Sequence, residues 1–394
     1  MAGAQPVNDV ARKKALRFVI SLGIVSLFAD FTYEGGRSIV GPYLATLGAS
    51  SLFVGVVGGL GEFLGYLMRL FSGRFVDRTH RHWTVMAAGY TVNLMSVPLL
   101  ALAGNPWFAG FLVFSERLGK GARVPPRDAL LSRAGRELGH GFAFGVHEAL
   151  DKTGAVLGPL LVAAAVAWSG YRLGFAVLAV PAFLALLFLL RARGVEPEPA
   201  HKHAVAGDAH FDARYYLYLA FSVVSVFGFA QYILVAYHLQ AAHRLAPALI
   251  PVLYAVAMGV DALAALLGGR VFDRHGLKVL VVLPLLSLPA VPLLFLSSTP
   301  AYIWLGAVFW GAALGVQQST VRAGVAMLTP EHKRGTAYGI FDSAFGLALL
   351  LGSMLLGALY GRSVETLVIV AVAFQVAALP LLFLTLRAKK ASAA

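Results

Sequence analysis

The sequence predicts an all-α membrane protein of twelve transmembrane helices in two pseudo-symmetric six-helix bundles. Composition is the first reason: 59% of the 394 residues are hydrophobic and 13% charged, whereas a soluble domain carries about 25% charged residues and covers itself with them. The second is block length. A bilayer core about 30 Å thick takes roughly 20 apolar residues per helix, and twelve such blocks run 18–46, 51–71, 83–103, 107–127, 140–166, 172–190, 213–239, 247–269, 278–297, 301–325, 336–360 and 364–386. The third is an internal repeat, set out below.

Taken in order, span 1 follows a basic segment with Arg12, Lys13, Lys14 and Arg17. It is much longer than a signal-peptide apolar region and is read as a retained first helix. It carries Asp30, Glu34 and Arg37 at i, i+4 and i+7, one helical face, which is expected to look into a cavity. Span 2 has Glu62 and Arg69 seven apart, also on one face, and ends in Gly73-Arg74-Phe75-Val76-Asp77-Arg78. Span 4 holds Glu116, Arg117, Lys120 and Arg123. Span 5 holds His147, Glu148, Asp151 and Lys152, the last three on one broad face with His147 at its edge, followed by Gly154-Ala155-Val156-Leu157-Gly158-Pro159. The second half is poorer in charge, with Asp261 and Asp342 beside Gln231, Tyr232, Tyr237, His238, Gln317 and Gln318. Tyr232, Tyr254, Trp304, Phe309, Trp310 and Phe345 supply material for an aromatic wall against an apolar guest or, equally, for lipid-facing positions.

The repeat pairs Gly73–Arg78 with Gly269-Arg270-Val271-Phe272-Asp273-Arg274, and the stretch from Gly141 to Glu148 with that from Gly335 to Asp342. Both copies of the first follow the second span of their half. The one long connection, from Arg191 to Arg214, divides the spans six and six, giving a bundle over 1–190, a cytoplasmic linker over 191–212 and a second bundle over 213–394. With the amino terminus inside, only Arg172, Arg244 and Arg362 among the 32 Lys and Arg fall on the outer side, as the positive-inside bias requires. Both termini are then cytoplasmic. Duplicated bundles around a midplane cavity are a physical basis for alternating access, so the architecture points to transport.

Other classes fit poorly. The net charge of +13 is spread in small groups between apolar spans rather than gathered on one face, which argues against nucleic acid as a partner. Cysteine is absent, so there is no disulfide and no thiolate metal site or nucleophile. The linker histidines His201, His203 and His210 match no strong zinc spacing, and nothing ties serine, histidine and carboxylate into a nucleophilic arrangement. No cofactor, no metal and no enzymatic activity are expected.

At this point the motifs resemble those of the major facilitator superfamily, the twelve-helix secondary transporters, over nearly the whole chain. The resemblance rests on Gly73–Arg78 and its copy Gly269–Arg274; on Arg117-Leu118-Gly119-Lys120-Gly121, with Lys120 where glutamine is more usual; on Gly154–Pro159, similar to the signature of the family's antiporters; and on Gly41-Pro42-Tyr43-Leu44 at the end of span 1. It implies that the two loops after spans 2 and 8 latch conformations through Asp77, Arg78, Asp273 and Arg274. There glycines would permit tight turns and the aspartates would take arginines or helix ends as partners. It also implies that Arg117 bears on proton coupling, and that Gly154, Gly158 and Pro159 form a seam that packs and shifts.

The buried charges then take roles. Arg37, Arg117, Lys120 and Lys152 face the acids Asp30, Glu34, Glu116, Glu148 and Asp151. They either neutralise them in fixed pairs or, with five acids to four bases, leave a carboxylate suited to proton exchange in low dielectric. Asp30 and Glu34 are the leading proton carriers, with Arg117, Glu148 and Asp151 assisting. Arg37, Glu116, Lys120, His147, Lys152, Gln231, Tyr232, Gln317 and Asp342 are the substrate-cavity candidates. The expected function is a proton-coupled exporter of a small organic or drug-like solute, working as a monomer among membrane lipids in a bacterial inner membrane. A proton-linked importer of a polar metabolite and a divalent metal-ion exporter remain the alternatives.

Overall fold

The structure, a computed structural model, describes residues 9–195, 211–330 and 333–388. The described residues are helical throughout apart from short turns. In the first half α1 spans Asp9–Thr46, α2 Ser51–Thr79, α3 His82–Leu99, α4 Pro106–Leu138, α5 His140–Ala176 and α6 Ala179–Ala192. In the second, α7 spans Ala213–Phe227, α8 Tyr232–Ala241, α9 Leu249–His275, α10 Val282–Phe295, α11 Pro300–Leu328, α12 Arg334–Tyr360 and α13 Val364–Arg387. Most of the 191–212 linker, with its three histidines, lies outside the described residues.

Eight segments are long and apolar enough to cross a membrane. Two of them, of 53 and 47 residues, would measure about 80 and 70 Å as single helices, more than twice a bilayer core. Both are broken: the first at Ser169 and Gly170, which leave helical geometry, and again at Val177 and Leu178 between α5 and α6, and the second at Gly276 with φ of +59°. The helices α4 and α11, of 33 and 29 residues, fall outside those eight; α4 does so because of its charged residues. The twelve apolar blocks fall on helical segments, the seventh on two, α7 and α8, and the fold is that of a multi-pass α-helical membrane protein.

Three boundaries differ from expectation for stated reasons. The motif Gly73–Arg78 is not a loop: α2 stays helical to Thr79 and the chain turns at His80, with φ of +56°. Its copy likewise lies within α9, and Gly276 makes the turn. Neither motif glycine is needed for a turn; Gly73 instead faces Pro125 of α4. Span 4 continues to Leu138, about ten residues past its apolar block. Span 7 is interrupted between Phe227 and Tyr232, where the freed carbonyl of Ala230 accepts from the Trp310 indole N–H at 2.9 Å.

The chain forms two compact units that do not follow the 191–212 division. One takes α1 up to Gly36, α2 from Leu67, α3, α4 from Phe111, and α5 and α6. Its core joins Phe18, Leu22 and Val25 to Tyr90, Leu94, Leu130 and Ala182, all buried. The other takes the described second half together with Arg37–Tyr66 and Gly104–Gly110. The reason is close packing of the Arg37–Tyr66 segment of α1 and α2 on second-half helices: Gly41 lies on the Ile233 carbonyl of α8, Gly55 on the Ser353 carbonyl of α12, and the Tyr237 hydroxyl donates to the Ala49 carbonyl at 2.9 Å.

The duplication read in the sequence recurs in packing. Within the first unit Gly158 of α5 lies on the Phe31 carbonyl of α1, and within the second Gly352 of α12 lies on the Phe227 carbonyl of α7. Both partners are shifted by nearly the same offset, so one helix crossing is built twice.

Candidate functional site

The charged residues of the first unit meet along α4. Asp30 and Glu34 of α1 are buried, as are Glu116, Arg117 and Arg123 of α4 and His147 of α5. Glu116 accepts from the Asn93 amide of α3 at 2.7 Å and pairs with Arg117 Nε at 3.4 Å. The Arg117 guanidinium lies 5.0 Å from the Tyr33 ring centre, and Lys120 Nζ 3.3 Å from the same ring. Lys120 also has Asp30, Glu34, Arg117 and Arg123 as electrostatic neighbours. Tyr33 thus holds two α4 cations against α1, a cation–π arrangement strengthened by exclusion of water.

One turn further in, Arg123 is 0% exposed. Its Nη2 donates to Asp30 Oδ1 at 3.4 Å and its Cζ lies 4.4 Å over the Tyr90 ring. Asp30 is within hydrogen-bonding reach of Asp151 on α5, and Asp151 accepts from the Ser26 hydroxyl of α1. Two ionised carboxylates offer only acceptors, so a hydrogen bond between them requires a proton shared by the pair. Close approach of α5 to α1 makes this possible: at Gly154 and Gly158 a Cβ would strike the Leu27 and Phe31 carbonyls.

The other expected residues are placed differently. Arg37 does not join Asp30; it pairs with Glu62 of α2 at 3.2 Å in the second unit, because α1 changes neighbours after Gly36. The face of span 5 is also reassigned. His147, Asp151, Gly154 and Gly158 recur at helical spacing toward α1, while Glu148, 61% exposed at its side chain, and Lys152 form a separate pair at 4.0 Å. Gln231 is buried and donates to Ser353 Oγ at 2.8 Å, and the Tyr232 hydroxyl donates to the Ile250 carbonyl at 2.7 Å. Tyr232, Tyr254 and Trp310 pack on one another, all buried. Gln317 is half-buried. Asp342 accepts from Arg322 at 2.6 Å, the Arg322 side chain being 56% exposed. Asp77, Arg78, Asp273 and Arg274 are exposed near the C-terminal ends of α2 and α9.

Sequence reasoning missed the central position of Arg123, which it ranked as a neighbour of Arg117. It also passed over Asn93, Tyr90, Tyr33 and Ser26. One signal was present for Arg123: α4 carries Arg117, Lys120 and Arg123 at steps of three, and an internal arginine on the same face as its neighbours calls for its own partner.

A sequence profile described as the Major Facilitator Superfamily matches residues 22–237 and 217–394. The chain belongs to the major facilitator superfamily. It is 43% identical over 380 residues to an uncharacterised protein of Mycobacterium tuberculosis, with 94% of this chain and 93% of that one covered. It is 30% identical to an uncharacterised MFS-type transporter of Methanocaldococcus jannaschii, covering 91% and 92%. A shorter stretch of 119 residues, 30% of the chain, is 29% identical to part of the multidrug resistance protein MdtH of Enterobacter, covering 29% of it. Among solved structures it is similar to a bacterial homologue of the human lysosomal transporter Spinster in an inward-facing, unoccupied conformation, with a TM-score of 0.76, 16% identity and 98% of each chain covered. The nucleoside transporter NupG is similar at a TM-score of 0.75, 14% identity, 94% of this chain and 99% of that one. This superfamily member is thus a multi-pass protein of a transporter family, not an enzyme.

Proposed function

We propose that the chain is a proton-coupled secondary transporter that exports a small organic or drug-like solute in exchange for protons. The observation that carries the reading is the Asp30–Asp151 carboxyl pair beside Arg123, since two acids within hydrogen-bonding reach of one another can hold a proton between them and release it without rebuilding their contacts. The carriers are therefore Asp30 and Asp151, with Glu34 as neighbour to Lys120. The second half has no counterpart: Gln317, Leu314 and Phe345 stand at an offset of 194 from Arg123, Lys120 and Asp151.

Export is supported by the antiporter-like Gly154–Pro159 seam, which packs on α1 next to that pair, and by the partial likeness to a multidrug resistance protein. The protein works as a monomer in the bacterial inner membrane with both termini cytoplasmic, in two six-helix halves joined by the 191–212 linker, and needs no cofactor or metal. Among the described residues no three His, Cys, Asp or Glu are grouped to hold a metal ion, so the metal-exporter alternative gains nothing.

The test is a ligand screen on purified protein, followed by solute and proton flux in sealed proteoliposomes under an imposed pH gradient. Asp30→Asn and Asp151→Asn are expected to abolish gradient-driven accumulation while leaving solute binding measurable. Unchanged gradient dependence in both would sink the proposal.

A further inference from the structure

Four buried polar atoms of the first unit have no protein hydrogen-bond partner and belong to one neighbourhood: Nε and Nη1 of Arg123, the Tyr90 hydroxyl and Nε2 of His147. Arg123 stacks on Tyr90. Tyr90 is an electrostatic neighbour of Arg127, and His147 has Arg127, Asp128, Asp30 and Arg123 as its neighbours. The two acids among these lie at different depths. Asp30 belongs to the carboxyl pair, whereas Asp128 lies beyond the apolar block of span 4, has a side chain 43% exposed and is held by Arg127 at 2.8 Å. His147 is 4% exposed and has an acid of each depth as an electrostatic neighbour. Arg127 shares that position through Asp151 and Asp128, but a guanidinium does not release its proton, which leaves His147 as the group able to hand one on.

Buried polar atoms without protein partners are those that hold internal water, provided two to four of them converge. A guanidinium offers only donors, a phenol offers both roles and a neutral imidazole accepts at one nitrogen while donating at the other. Such a set can pass a proton through water without any group storing charge.

We propose that His147 is the relay through which protons pass between the Asp30–Asp151 pair and the cytoplasmic end of α4 at Asp128, over water held by Arg123 and Tyr90. The inference rests on the proton-coupled reading above and adds the route within the first unit. In each passage one imidazole nitrogen takes a proton from the pair side as the other releases one toward Asp128, and the ring resets by exchanging tautomers; nothing is oxidised and no bond other than O–H and N–H changes. His147 leaves the substrate-cavity set under this assignment. Arg123 and Tyr90 position the water.

The experiment uses the full chain, purified, in a stopped-flow pH jump with a pH-indicator dye, so that the proton itself is the probe. The amplitude that disappears in both Asp30→Asn and Asp151→Asn belongs to the pair. In His147→Ala that amplitude should persist while its rate falls at least tenfold. Added imidazole should restore the rate, and thiazole, the same ring size without an N–H, should not. Tyr90→Phe should slow the rate by a smaller factor. A wild-type rate in His147→Ala, or equal rescue by thiazole, overturns the relay and leaves the proton-coupled reading intact. Absence of any pair-dependent amplitude in the wild type overturns that reading and the relay with it.

Discussion

Gly55 offers the sharpest test of how this transporter moves. It lies in α2 where that helix meets α12, and a Cβ built there falls onto the Ser353 carbonyl oxygen and 3.2 Å from Gly357 Cα. Both obstacles are backbone, so no side-chain rotation relieves them and α2 must move away from α12. Overpacking of this kind costs about 1–3 kcal/mol, which favours arrangements with the two helices apart by roughly 5- to 150-fold at 1.4 kcal/mol per tenfold. The chain contains no cysteine, so a Ser51→Cys reporter has no background. Ser51 is buried, and its carbonyl lies against Gly357. Gly55→Ala should accelerate labelling of that cysteine by an impermeant maleimide within this range, and Gly55→Leu should do so at its upper end. Gly269→Ala, where nothing lies within 4 Å of the added carbon, should leave labelling unchanged. Equal labelling in Gly55→Leu and the parent, or the same rise in Gly269→Ala, would refute the reasoning.

Further outcomes follow from other parts of the molecule. Asp77→Asn and Asp273→Asn, both exposed near the C-terminal ends of α2 and α9, should slow solute flux with equilibrium affinity retained; a selective loss of affinity in binding assays would contradict a conformational role. Tyr232→Phe removes the hydroxyl that donates to the Ile250 carbonyl at 2.7 Å, a hydrogen bond with a net contribution of about 0.5–1.5 kcal/mol. It should lower the chemical-denaturation midpoint without changing solute affinity, and an affinity loss at unchanged stability would return Tyr232 to the substrate site.

The helical membrane fold was legible because apolar length and period are physical requirements of a bilayer and survive in one sequence. The glycines of span 5 marked a place of close helix approach, but not α1 as the helix approached. The pairing of charges was not legible. Helical spacing put Asp30, Glu34 and Arg37 on one face, but spacing within one helix says nothing of which helix lies opposite, and α1 faces α4 and α5 at Asp30 yet α2 at Arg37. Asp151 was grouped with Glu148 for the same reason, although Ser26 and Asp30 draw it to the other side. Loop positions failed differently. Gly73 and Asp77 look like turn residues, but Val76 between them is buried and the helix continues through both to Thr79.

Charge balance gives the buried cluster a final constraint. The linked groups are Asp30, Glu34, Glu116 and Asp151 against Arg117, Lys120 and Arg123, so one proton on the Asp30–Asp151 pair makes the set neutral. Arg127 and Lys152 are paired with Asp128 and Glu148, so the two cations beside the set bring their own acids. Replacing Asp151 by Asn keeps this neutrality, because Asp30 then carries the whole charge opposite Arg123, the new amide donates to it, and the amide oxygen accepts from Ser26. Replacing Glu116 by Gln does not, since a full negative charge 3.4 Å from Arg117 Nε is removed with no proton given up in exchange, and breaking a buried ion pair costs about 3–5 kcal/mol. Chemical denaturation in detergent should therefore find Asp151→Asn close to wild type in stability and Glu116→Gln lower by about that amount, although both remove one carboxylate from the same cluster. Equal destabilisation of the two would mean that the pair holds no shared proton, and the coupling site would have to be sought at Glu34 and Lys120.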